Sequence, residues 1–161
     1  MDETLKPATS NEPPDGIYQA RVDDKGRLKL PASFQQYLAA LGEQRVFITS
    51  LDVRTARIYP NSLWKQNKKF FDEYQADPEI AEDVAFVAND LGANSEVDSQ
   101  GRLLMPQELR QTLKMENQPV WLDCYKGRIN VYNKEVYEDK KSRATHRLAE
   151  KLRTLEKEGL K

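Results

Sequence analysis

Short runs of mixed apolar and polar residues mark strands along this chain, and longer runs with apolar residues three and four apart mark helices. Residues 18–22 (Tyr-Gln-Ala-Arg-Val) and 27–30 (Arg-Leu-Lys-Leu) read as two short strands. They flank Asp23-Asp24-Lys25-Gly26, a turn in which aspartate folds back onto backbone N–H groups and glycine takes the left-handed position. The pair is either a β-hairpin or a looped β-arch. Pro31 opens a short helix over 31–38, because proline loses nothing at the first helical position. Residues 46–49 and 56–59 then pair as a hairpin. A helix from Asn61 gathers Leu63, Trp64, Phe70, Phe71 and Tyr74 on one broad apolar face and sets Lys65, Lys68 and Lys69 on a solvated one. Beyond Asp77-Pro78, a helix from Glu79 carries Ile80, Val84, Val87 and Leu91 on one side, and Gly92 ends it as a left-handed cap.

The pattern then repeats. Residues 22–38 laid over 97–113 without a gap match Val, Asp, Gly, Arg, Leu, Pro, Gln and Leu in register. Asp98-Ser99-Gln100-Gly101 is the second turn, Pro106 opens the second helix over 106–113, and residues 120–123 pair with 129–132 across Tyr125-Lys126-Gly127. Phe47-Ile48 answers Trp121-Leu122, and Trp64 answers Tyr137. Each copy is one supersecondary unit that cannot bury its apolar face alone. The expected organisation is a disordered leader over residues 1–15, a first repeat over 16–75, a linker helix over 76–92, a second repeat over 93–137 and a helical tail over 138–161. From Asn133, a helix cap, to Glu158 the tail reads as one helix. Its narrow seam of Tyr137, Ala144, Leu148, Leu152 and Leu155 suits packing on a neighbouring subunit, or a partly free helix, better than a core.

Charge changes the picture only locally. Lys and Arg number 25 against 26 Asp and Glu, so bulk charge does not coat nucleic acid. Residues 134–161 carry nine basic against six acidic residues, whereas residues 71–100 have no Lys or Arg. The single cysteine, Cys124, excludes a disulfide framework and reads as a small buried hydrophobe in a reducing, cytoplasmic setting. No apolar run is long enough to cross a bilayer, so no membrane partner is expected.

The doubled Asp-x-x-x-Arg-Leu-x-x-Pro, each copy followed by a short helix and a hairpin, resembles the MraZ family of bacterial transcriptional regulators over residues 16–140. That family belongs with the AbrB and MazE swapped-hairpin proteins. The resemblance implies an α+β fold of duplicated AbrB-like swapped-hairpin β-barrel units with short helices and a C-terminal helix. It also implies a homo-oligomeric ring, associated with the nucleoid, that reads tandem short repeats in double-stranded DNA upstream of a cell-division or cell-wall operon. The family's linker is often arginine-rich, and residues 85–90 here are not, so no DNA contact carries over to that segment.

The DNA-binding set expected from the two loops is Asp23, Lys25, Arg27 and Lys29 in the first and Asp98, Gln100 and Arg102 in the second, with Arg21 beside the first. Arg27 and Arg102 present planar forks suited to phosphate or guanine edges, while the aspartates shape the loops. A purely structural Asp–Arg pair holding each turn rigid is the competing reading. No catalytic residue, metal site, cofactor or small-molecule substrate is expected: His146 is the only histidine, and no Gly-rich phosphate loop or metal-ligand spacing occurs. The alternative function is an antitoxin-like or protein-partner-binding module on the same fold.

Overall fold

The structure, a computed structural model, describes residues 12–161. Most of the expected leader therefore lies outside the described residues, and residues 12–15 form no regular element. The first copy contributes β1 (Tyr18–Arg21), β2 (Arg27–Lys29), α1 (Ala32–Ala40), β3 (Arg45–Thr49), β4 (Ala56–Pro60) and α2 (Asn61–Glu73). The connecting helix is α3 (Pro78–Leu91). The second copy contributes β5 (Ala93–Glu96), β6 (Arg102–Leu104), α4 (Gln107–Thr112), β7 (Pro119–Tyr125), β8 (Arg128–Tyr132) and α5 (Lys134–Thr145), and α6 (Leu148–Lys157) ends the chain.

The fold is α+β and its hairpins are swapped. An antiparallel sheet runs β1-β7-β8-β4-β3-β5, and a separate ribbon pairs β2 with β6. Each copy's first strand thus leaves its own second strand and joins the other copy's hairpin: Tyr18 lies opposite Leu122 and, equivalently, Ala93 opposite Ile48. Only the bridge between Val22 and Leu28 remains of a local hairpin, so the turn is a looped arch. The sheet edges β1 and β5 are not bonded to each other, so the hydrogen-bonded strands do not close into the expected barrel.

Burial explains the exchange. Leu28 and Leu103 face each other across the ribbon, both fully buried, with Leu30 and Met105 beside them. They join Ile48, Ile58, Leu122 and Val131 of the sheet and Phe34 and Leu109 of the short helices in one cluster drawn from both copies. A buried leucine contributes roughly 1.5–3 kcal/mol, so either copy alone would expose most of its stabilising surface. On the other sheet face, α2 and α3 cover Phe47 and Tyr59 with Trp64 and Ala88. Phe47 stacks on Trp64 at 4.6 Å, and the sequence equivalents Trp121 and Tyr137 stack at 4.8 Å.

Several local expectations need correction. Trp64 and Leu91 are buried as expected, but Phe70 and Ile80 are 59% and 56% exposed, and the buried side of α3 runs through Ala81 and Ala88 to Leu91. Gly92 is extended (φ −102°, ψ 163°) rather than left-handed. Its lack of a side chain serves packing, since a Cβ there would stand 2.5 Å from Phe47 Cζ and 2.8 Å from Thr49 Oγ1. The C-terminal stretch is two helices. Asn133 caps α5 by accepting from Val136 N–H at 2.8 Å, as expected, but α5 stops at His146 and Arg147 turns the chain in the left-handed region (φ 53°, ψ 39°). Among the described residues no helix is long and apolar enough to cross a membrane.

Candidate nucleic-acid interface

The two Asp-x-x-x-Arg loops flank the β2–β6 ribbon and are near copies of each other. Asp23 N–H donates to Arg27 C=O at 2.9 Å and Gly26 N–H to Asp23 C=O at 3.0 Å; Asp98, Arg102 and Gly101 repeat both bonds at the same lengths. One carboxylate oxygen of Asp23 accepts from the backbone N–H of Lys25 (2.9 Å) and Arg27 (2.8 Å), and Asp98 does the same for Gln100 and Arg102. This is the Asx turn expected from the spacing. The backbone N–H of Arg27 on Asp23, and of Arg102 on Asp98, holds each carboxyl below its ordinary range, with the arginine charge adding to the effect.

The second carboxylate oxygen fixes the arginine. Asp23 Oδ2 accepts from Arg27 Nε at 3.3 Å and Asp98 Oδ2 from Arg102 Nε at 2.9 Å. These are partly exposed ion pairs. Their energetic contribution is small, but they set the direction of each guanidinium. Among the described residues, the terminal nitrogens of both forks have no partner. A fork anchored at Nε with Nη1 and Nη2 open can donate two parallel hydrogen bonds to phosphate or to a base edge.

The remaining residues divide unevenly. Lys25 and Gln100 sit exposed at the loop tips. Lys29 reaches across the ribbon and donates to the backbone carbonyl of Gln100, so it joins the two loops. Its pairing partner in the ribbon is Arg102, and the strand position equivalent to Lys29 in the second copy is Leu104, 56% exposed. Arg21 is taken up elsewhere: its guanidinium donates to the carbonyl and side-chain oxygens of Asn117 at 2.9 and 3.0 Å.

Two supporting residues escape any sequence reading. Gly26 (φ +82°) lies against the guanidinium of Arg110, and Gly101 (φ +77°) against the amide of Gln35; a Cβ on either glycine would overlap them. Gln35 and Arg110 occupy the same position in the two copies and do the same work. Gln35 donates to Leu30 C=O at 2.7 Å and Arg110 to the equivalent carbonyl of Met105, while Glu116 accepts from Arg110 Nε at 2.8 Å. Each loop therefore rests on a helix of the other copy. Their shared repeat position was the available signal, but glutamine and arginine do not look alike.

Other chemistry is sparse. Among the described residues no group of three His, Cys, Asp or Glu side chains is placed to hold a metal ion. Cys124 is half-buried against the core, and burial first, then the Asp123 charge, pushes its thiol up to about 11.

Comparison with known proteins matches this sequence to a family. Residues 92–157 match the family model for the MraZ protein, described as antitoxin-like. A relative from Acidobacterium capsulatum named Transcriptional regulator MraZ is 35% identical over 62% of this chain and 68% of its own length. Relatives of the same name from Anaeromyxobacter and Caldanaerobacter subterraneus are each 32% identical over 127 residues, covering 76% and 77% of this chain and 85% and 83% of theirs. With the doubled loop, the swapped sheet and these relatives in agreement, the chain belongs to the MraZ family.

Proposed function

We propose that this protein is a DNA-binding transcriptional regulator that assembles into a ring and reads tandem short repeats upstream of a cell-division or cell-wall operon. The names of its relatives support regulation of transcription. The observation that carries DNA reading is the pair of arginine forks, each tethered at Nε by its own aspartate with the terminal nitrogens open. In this reading Arg27 and Arg102 contact the DNA, Asp23 and Asp98 hold them, and Lys25 and Gln100 touch the backbone from the loop tips. Lys29 and Leu104 make the two loops unlike. A charged residue at one position favours phosphate, and an apolar one at the other suits a thymine methyl.

Two loops on one subunit bind weakly. A ring that places several pairs on one duplex raises affinity roughly a hundredfold or more without a new contact, provided the loop spacing matches the repeat spacing. The repeats at 16–75 and 93–137, with the linker at 76–92 and the tail at 138–161, are then a reading head and its means of assembly. The test is binding to DNA from the protein's own upstream region against a scrambled duplex over a range of salt. Salt-sensitive preference for the native sequence supports the reading, and equal binding to both refutes it.

The antitoxin-like description of the family model favours a second reading, in which the same face binds a protein partner. Against it, the two copies give two matched forks where a single docking groove needs no duplication. A toxin-like neighbour that co-purifies and blocks DNA binding would favour that second reading.

A further inference from the structure

The first copy shows how a helix after α2 is used: α3 folds back so that Ala88 covers Phe47, Tyr59 and Trp64, with Phe71 of α2 packed against the same cluster. In the second copy the matching positions are Trp121, Tyr132, Tyr137 and Ala144. Alanine stands where the first copy has Phe71, and a cavity of about 230 Å3 lies over Tyr132, Tyr137 and Ala144, edged by Ile17, Lys140 and Lys141. The helix that follows, α6, does not cover it. Every residue of α6 is exposed, including Leu148 (52%), Leu152 (43%) and Leu155 (55%), which form one narrow stripe.

The elbow between α5 and α6 explains the separation. Four residues join α2 to α3, whereas only His146 and Arg147 lie between α5 and α6, with Arg147 in the left-handed region. Lys151 Nζ donates to the carbonyls of Arg143 and Ala144 at 3.2 and 3.4 Å, fastening the elbow. Lys151, Glu156 and Glu158 border the stripe and are exposed, while Lys140, Lys141 and Asp123 line the cavity.

We infer that α6 of one copy docks its Leu148–Leu152–Leu155 stripe into the Tyr132–Tyr137–Ala144 seat of a second copy, with Glu156 facing Lys140 and Lys141. The contact joins two different surfaces, so it propagates head to tail and closes as a ring when the rotation permits. It rests on the proposed ring and names the contact that builds it.

The test is the mass of the full chain in solution by light scattering and native mass spectrometry. Leu152→Glu/Leu155→Glu disables the arm and Ala144→Arg blocks the seat; all three positions are exposed in the subunit, so circular dichroism and melting temperature should match wild type. Each variant should fall from the assembled mass to the monomer. An equimolar mixture should recover a one-to-one dimer and nothing larger, because one good arm then meets one good seat. A wild-type assembly that both variants leave intact overturns the docking and spares the ring. A wild type that is monomeric at all concentrations overturns both. Assembly lost in the arm variant but kept in Ala144→Arg means that α6 pairs with another surface, and it also overturns the seat.

Discussion

Asp23 and Asp98 do three tasks with one carboxylate each: they close a turn, hold the following backbone and aim an arginine. Because their folded pKa values are depressed, the stabilisation they give is complete above the ordinary aspartate range near 3.8 and is lost as pH falls through the folded values. Thermal melts of wild type and Asp23→Asn/Asp98→Asn should therefore differ at pH 7 and converge as pH falls below 3.8; a gap that stays constant with pH contradicts this role. Gly26 and Gly101 have a double constraint, positive φ and contact with the opposite copy's side chain. Gly26→Ala should cost about 1–2 kcal/mol from backbone strain alone, with more from the displaced Arg110. Adding Arg110→Ala should return only the displacement part, as a denaturant double-mutant cycle would show. These aspartates, glycines and arginines were legible in the sequence because their chemistry is local and their spacing fixed. Gln35 and Arg110 were not, since their role depends on loops 66 and 84 residues away (Gln35 to Gly101, Arg110 to Gly26).

At the scale of elements, hydrophobic pattern located strands and short helices well and pairing poorly. The later hairpins close locally, and β7–β8 turns through Lys126 (φ 54°) and Gly127 (φ 84°), a two-residue connection with both residues left-handed. For β1 the pattern left hairpin and arch equally open, because its partner β7 is about a hundred residues distant and no local feature encodes that choice. The break at Arg147 was hidden for a similar reason: arginine rarely adopts positive φ, and the leucine spacing continues through it. Gly92 was recognised as special but for the wrong physical cause. Gly92→Ala should destabilise through the clash with Phe47 and Thr49, and Phe47→Leu should recover part of the loss in the melting temperature. Full recovery by a change at Thr49 alone would contradict that geometry. Interleaving also predicts that residues 12–76 expressed alone give no folded monomer, because β1 and β4 lose β7 and β8. A cooperatively melting monomeric fragment would contradict it.

For the whole molecule, the proposed function rests on arrangement more than on charge. A near-neutral chain with no basic residue between 71 and 100 has little general attraction for DNA, so in the proposed function affinity comes from a few well-held forks presented many times. The most direct measurement is fluorescence anisotropy of wild type and Arg27→Ala/Arg102→Ala on tandem-repeat DNA from the protein's own upstream region, with assembled mass measured on the same samples. Two lost forks per subunit should weaken binding at least about tenfold and flatten its salt dependence while the assembly stays intact. Unchanged binding by an intact double-variant assembly would contradict the assignment of these loops as the DNA-reading surface.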